Sequence, residues 1–255
     1  MALTHPISIQ LYSGRKFPPV ETQLATVVRH GYTNVETFGP FHDNAVATRR
    51  LLDSHGLSVR SAHLPLQMLE SEPGRALDIS LTLGIAIAVA PYLAPPDRPT
   101  SLAGWRELGT RLAKIGERFA ATGLRFAWHN HDFEFHSLPD GSLPIEHVLG
   151  ESLLWEADLA WVTRGGAEPA KWLAYYSGRI PLVHVKDIAP AGENADEDGW
   201  ADVGAGILPW GELWSRCVAA GAEIMVAEHD NPSDFDRFAG NSAAAMRGFA
   251  GGDAR

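Results

Sequence analysis

Short apolar runs and amphipathic stretches alternate along almost the whole of this 255-residue chain. That rhythm restricts the fold more than any other feature. Strand-like runs are expected at 7–12, 34–38, 57–64, 85–93, from 125, and at 153–161, 180–188 and 224–229. Helical patterns separate them. The clearest is Leu102, Trp105, Leu108, Leu112, Ile115 and Phe119, whose spacing puts all six on one helical face. Gly31, Gly56, Gly123 and Gly221 stand where such helices should stop. Eight strands alternating with about eight helices predict a single (β/α)8 barrel of the TIM type, for which roughly 250 residues is usual. A doubly wound open sheet is disfavoured, because no glycine-rich phosphate loop follows the first strand. No linker or shift in composition interrupts the rhythm, so one domain spanning 1–255 is expected.

Charge narrows the partners. The net charge is −10 and the arginines are scattered, which disfavours a phosphate backbone and hence nucleic acid. Cys217 is the one cysteine, so an intrachain disulfide is excluded. No apolar run approaches the ~20 residues that span a bilayer. The N-terminus lacks the basic-then-apolar pattern of a secretory signal. A cytoplasmic protein with a small-molecule substrate is expected, and a homo-oligomer is compatible with the sequence.

In a barrel of this kind, chemistry gathers at the carboxyl ends of the strands. Polar groups fall there repeatedly: Glu36, His63, Tyr92, a cluster from His129 to Glu134, Asp158, His184 with Lys186, and Glu228. Carboxylates are costly to bury without a partner, so acids and histidines late in successive strands call for a common one. A divalent metal satisfies that demand. Asp158, His184 and Glu228 supply two carboxylates and an imidazole, a set suited to Mn²⁺, Mg²⁺, Co²⁺ or Zn²⁺. The fourth ligand is expected from strand five, either Glu134 or His129. Glu134 is preferred, because a carboxylate suits a hard cation.

Several segments together resemble a known family. They are Val-Glu-Thr-Phe-Gly at 35–39, Ser-Ala-His-Leu at 61–64, Trp-His-Asn-His-Asp-Phe-Glu-Phe at 128–135, Glu-Ala-Asp-Leu-Ala-Trp at 156–161, His-Val-Lys-Asp at 184–187, Val-Gly-Ala-Gly-Ile-Leu-Pro-Trp at 203–210 and Ala-Glu-His-Asp-Asn-Pro at 227–232. They look like the xylose isomerase-like TIM-barrel superfamily, and most of all its sugar phosphate isomerase/epimerase group. The resemblance runs from the first strand to the last helix. It implies one divalent ion, commonly Mn²⁺, at the barrel mouth, with Asp158, His184 and Glu228 matching the ligands of strands six to eight. Strand five departs from the ketose epimerases, which end it with a Glu before an Asn; here His129 precedes Asn130.

The reaction implied is proton abstraction beside a carbonyl through a metal-bound enediolate, as in sugar isomerases and epimerases. Related barrels use the same first step for β-elimination from keto-inositols or 3-keto-glycosides, so a lyase is the alternative. Glu228, His131 and Lys186 are the candidate proton-transfer or polarising groups. Lys186 lies two residues past His184 and so on the same side of its strand. Glu36, His63, His129, Trp161 and Arg164 are candidates for contact with the substrate. Asp187, pointing away from Lys186, is expected to hold the loop that follows.

Overall fold

The computed structural model describes residues 7–251. Eight parallel strands close into a barrel: β1 (Ile7–Gln10), β2 (Asn34–Thr37), β3 (Ser58–His63), β4 (Ile87–Ala90), β5 (Arg125–His129), β6 (Leu154–Asp158), β7 (Leu182–Val185) and β10 (Ile224–Ala227). Strand β1 pairs with β2 on one side and β10 on the other, which closes the cylinder. The (β/α)8 fold expected from the alternation is therefore the fold observed. Among the described residues no helix is long and apolar enough to cross a membrane.

Helices wrap the outside. The helical stripe noted above is α5 (Leu102–Ala120), which buries Trp105, Leu108, Leu112, Ile115 and Phe119 against the barrel. Pro73 separates α3 (Leu66–Ser71) from α4 (Pro73–Leu83), since proline cannot donate the backbone N–H that a continuous helix requires. Two departures from expectation shape the site. Strand β6 stops at Asp158, and Leu159–Arg164 forms a short helix, α7. Asp158 ends the strand itself: its Oδ1 accepts the Trp161 N–H at 2.8 Å, capping the new helix. The run after β7 leaves the barrel, and β8 (Asp187–Ile188) pairs antiparallel with β9 (Trp200–Ala201) in a hairpin over the barrel end.

Side chains alternate across each strand, so one phase faces the barrel interior and the other faces the helices. In β5, Phe126 and Trp128 pack outward into the large core, while Ala127 points inward. The inward set forms two layers. The lower is mainly apolar, with Ile87, Val89, Ala127, Leu182, Ile224 and Val226 packed together and the buried Ser8, Asn34 and Ser61 in the same phase. Continuing the same phase toward the carboxyl ends gives Gln10, Glu36, His63, His129, Glu156, Asp158, His184 and Lys186, and every one is buried. The apolar layer plugs the barrel; the polar layer above it is the candidate site.

Candidate metal and substrate site

His184 is the hub of the polar layer. Its Nδ1 lies 2.8 Å from Glu228 Oε2, and its Nε2 lies 2.8 Å from Glu36 Oε1 and 3.3 Å from Glu156 Oε2. His63 Nε2 sits 2.6 Å from Glu156 Oε2 and 3.1 Å from Glu36 Oε1. The His129 ring is 4.5 Å from that of His184, centroid to centroid. Donor atoms of His129, Asp158, His184 and Glu228 all fall within 4.8 Å of one another. A second group, His63, His129, Glu156 and His184, satisfies the same distance and lies deeper.

Electrostatics follow from burial and proximity. Burial opposes the charge on His184 and His63, but the surrounding carboxylates outweigh it and raise both, His63 to about 10. Burial, reinforced by the neighbouring histidines, holds His129 well below its usual value, so it stays neutral. Burial raises Asp158 to about 6, partly offset by Lys186 and His184. Glu228 runs the other way: Lys186 and His184 overcome its burial and keep it ionised.

The upper group fits a divalent ion. Asp158 Oδ2 is buried without a hydrogen-bond partner, as an oxygen reserved for a cation would be. Two imidazoles and two carboxylates suit Mn²⁺, Zn²⁺ or Co²⁺. Of the two residues expected to compete on strand five, the structure brings His129 to this group. Glu134 lies outside it, with Oε1 accepting from Trp128 Nε1 and Oε2 from the His131 backbone N–H, both at 2.7 Å. A carboxylate five residues past the strand end is thus taken up in bracing the strand-five turn. Asn130 braces the same junction: its Oδ1 accepts from Trp155 Nε1 and the Asp158 N–H, at 2.8 and 2.9 Å.

Lys186 is fully buried beside the group, with Nζ 2.7 Å from Asp230 Oδ1, 3.1 Å from Glu228 Oε2 and 3.5 Å from Asp158 Oδ2. Its burial would favour the neutral amine, but the three carboxylates prevail and hold it as an ammonium. Trp200, carried by β9, covers this charge with its ring centroid 4.5 Å from Nζ. A cavity of about 580 Å³ opens above, lined by His63, His129, His131, Glu228 and Asp230 and walled by Tyr12, Phe38, Tyr92, Arg98 and Trp161. His131 lines it with Nδ1 unpartnered, and burial with the nearby Lys186 lowers its pKa to about 3.

Other expected contacts go elsewhere. Glu36 lies beneath the cavity and bonds His184 and Gln10, the latter at 2.7 Å. Arg164 turns away from the cavity: its Nη2 donates to the Asp198 carbonyl at 2.7 Å and its guanidinium lies over Trp200. It therefore pins the hairpin rather than lining the pocket. Asp187 holds the following loop, as expected, through four backbone N–H groups. Sequence reasoning passed over Glu156 and Asp230. Glu156 was legible from strand phase, since it stands two residues before Asp158 and so shares its face, whereas Asp230 lies past the end of β10 and carries no such signal.

The family model of the xylose isomerase-like TIM barrel matches residues 24–249. The chain belongs to the xylose isomerase-like TIM-barrel family. No curated protein matches significantly in sequence. Solved structures similar to this xylose isomerase-like barrel include a sugar phosphate isomerase/epimerase from Parabacteroides distasonis, at TM-score 0.81 and 21% identity, covering 97% of this chain and 96% of that one. A probable 3-DHS dehydratase involved in petrobactin synthesis in Bacillus anthracis aligns at TM-score 0.72 and 16% identity, over 95% and 98% of the two chains. The IOLI protein, solved with a zinc atom, aligns at TM-score 0.70 and 14% identity, over 96% of each chain. At these identities the likeness is one of fold.

Proposed function

We propose that this barrel is a divalent-metal-dependent sugar isomerase or epimerase that removes a proton from the carbon beside a substrate carbonyl. One observation carries the reading: His129, Asp158, His184 and Glu228 converge at the floor of a cavity, beside a buried ammonium. Asp158, His184, Glu228 and His129 would hold the ion, Mn²⁺ being the first candidate. A divalent ion there supplies Lewis acidity toward a carbonyl oxygen.

The protein's own groups account for the rest. Glu228 reaches the cavity as an ionised carboxylate and is the candidate base. Lys186, held protonated behind Glu228 and Asp230, lends its positive charge to stabilise negative charge developing on a substrate oxygen. Asp230 keeps the ammonium in place from the cavity side. His131 is neutral and offers Nδ1 to a sugar hydroxyl. Trp161 and Tyr92 present apolar faces on which a sugar ring can lie.

A second reading, a lyase acting by β-elimination on a keto-sugar or keto-inositol, draws support from strand five. His129 stands where an epimerase has a second carboxylate, so the upper group carries one base that reaches the cavity, Glu228, beside the Lys186 ammonium. That pairing suits abstraction of one proton with the positive charge stabilising a departing oxygen. Metal-loaded protein should be incubated in D₂O with free ketoses and with a 3-keto-glucoside, and followed by proton NMR. Exchange or isomerisation of a ketose supports the first reading. Aglycone release without ketose turnover supports the second. Absence of deuterium exchange, isomerisation and aglycone release alike in both substrate classes, with and without Mn²⁺, refutes both.

A further inference from the structure

Beneath the metal site lie two fully buried carboxylates, Glu36 and Glu156, that have no role in that mechanism. An imidazole that ligates an ion through one nitrogen carries its proton on the other, and what accepts that proton sets the tautomer and the ring's orientation. His184 has both nitrogens engaged. Nδ1 faces Glu228 and the upper group, while Nε2 faces Glu36 Oε1 at 2.8 Å. Glu36 is in turn held from two sides, by Gln10 Nε2 at 2.7 Å and by His63 Nε2 at 3.1 Å. His63 is anchored by its 2.6 Å contact with Glu156.

We infer that Glu36 is a positioning residue that accepts the Nε2 proton of His184, so that the Nδ1 lone pair is turned toward the ion. Gln10, His63 and Glu156 hold Glu36 in that attitude. The inference rests on the metal reading given above. The competing arrangement places an ion in the deeper group, using His184 Nε2. Two observations disfavour it. The upper group offers two carboxylates, Asp158 and Glu228, against the one of the deeper group, Glu156, and so suits a hard divalent ion better. Among these carboxylates Glu228 of the upper group lines the cavity, whereas Glu36 and Glu156 do not.

Cobalt affinity, measured by competition with a chromophoric chelator, tests the role without relying on turnover. Glu36→Gln keeps an acceptor but loses the charge, and should weaken Co²⁺ binding about 10-fold; Glu36→Ala removes the acceptor and should weaken it about 100-fold. The visible spectrum of the bound cobalt should shift in both, with the stoichiometry still one. Far-UV circular dichroism of the metal-free variants checks folding. Anomalous diffraction from cobalt-loaded parent crystals serves even if the Ala variant does not fold, and should place the ion on the Nδ1 side of His184. An ion on the Nε2 side, or affinities in both variants within twofold of the parent, overturns the positioning role and leaves the metal reading intact. Failure of the parent to bind cobalt overturns both.

Discussion

Asp187 offers a sharp test of how the site is roofed. Its Oδ1 accepts the N–H groups of Ile188 and Leu208 at 2.9 and 3.1 Å, and its Oδ2 accepts those of Gly204 and Gly206 at 3.0 and 3.2 Å. One carboxylate thus gathers both ends of the loop that brings Trp200 over Lys186. The approach at Gly206 is so close that a Cβ there would overlap both Asp187 Oδ1 and the Ile188 carbonyl. Asp187→Asn is nearly isosteric, but an amide has only one acceptor oxygen. Two N–H groups would then face an NH₂ group. Losing two bonds to a carboxylate at about 1.5 kcal/mol each gives about 3 kcal/mol, or roughly a hundredfold in the opening equilibrium of the loop. Hydrogen exchange read by NMR should show protection at Gly204 and Gly206, or at Ile188 and Leu208, falling by about that factor. Amides of β4 and β5, outside the loop, should keep theirs. Protection unchanged to within a factor of three at all four loop amides would refute the assignment of Asp187 as the loop's organiser.

Three further perturbations have signed outcomes. Burial raises the Glu134 carboxyl to about 8, against the Trp128 and His131 donors. A folded pKa above the unfolded value of about 4.5 means that this group's stabilisation is complete below pH ~4.5 and is lost as pH rises toward 8; urea titrations of Glu134→Gln should lack that component of the slope, and an identical pH profile would contradict the assignment. Lys186→Met leaves Asp230 and Glu228 without their buried cation and should cost about 3–5 kcal/mol in urea unfolding; a loss under 1 kcal/mol would mean that the ammonium is not the partner these acids depend on. Two glycines of α5 should respond in opposite directions. A Cβ at Gly109 would overlap the His147 carbonyl, costing about 1–3 kcal/mol, whereas one at Gly116 meets nothing nearer than 3.7 Å and should gain up to about 1 kcal/mol from helix propensity. Thermal melts of the two alanine variants that move in the same direction would refute this reading of the helix packing.

Local pattern was enough for the barrel, because strand and helix periods are properties of neighbouring residues, and eight alternations leave few closed architectures. It was also enough to pick out Asp158, His184, Lys186 and Glu228, since residues two apart on a strand share a face whatever the rest of the chain does. What strand phase could not supply was depth and reach across the barrel. Along the chain both Glu134 and His129 qualified as ligands, and the chemistry of a hard cation favoured Glu134. Only the folded turn shows that Trp128 and the His131 amide take both Glu134 oxygens, while His129 joins the ring of His184. Arg164 read as a candidate for contact with the substrate, but the hairpin that it pins comes from more than thirty residues further along the chain. The same limit hid the partnership of Glu36 with His184, which are 148 residues apart in sequence and meet only because the barrel closes. Periodicity determines which side chains enter the interior; closure of the cylinder decides which of them touch.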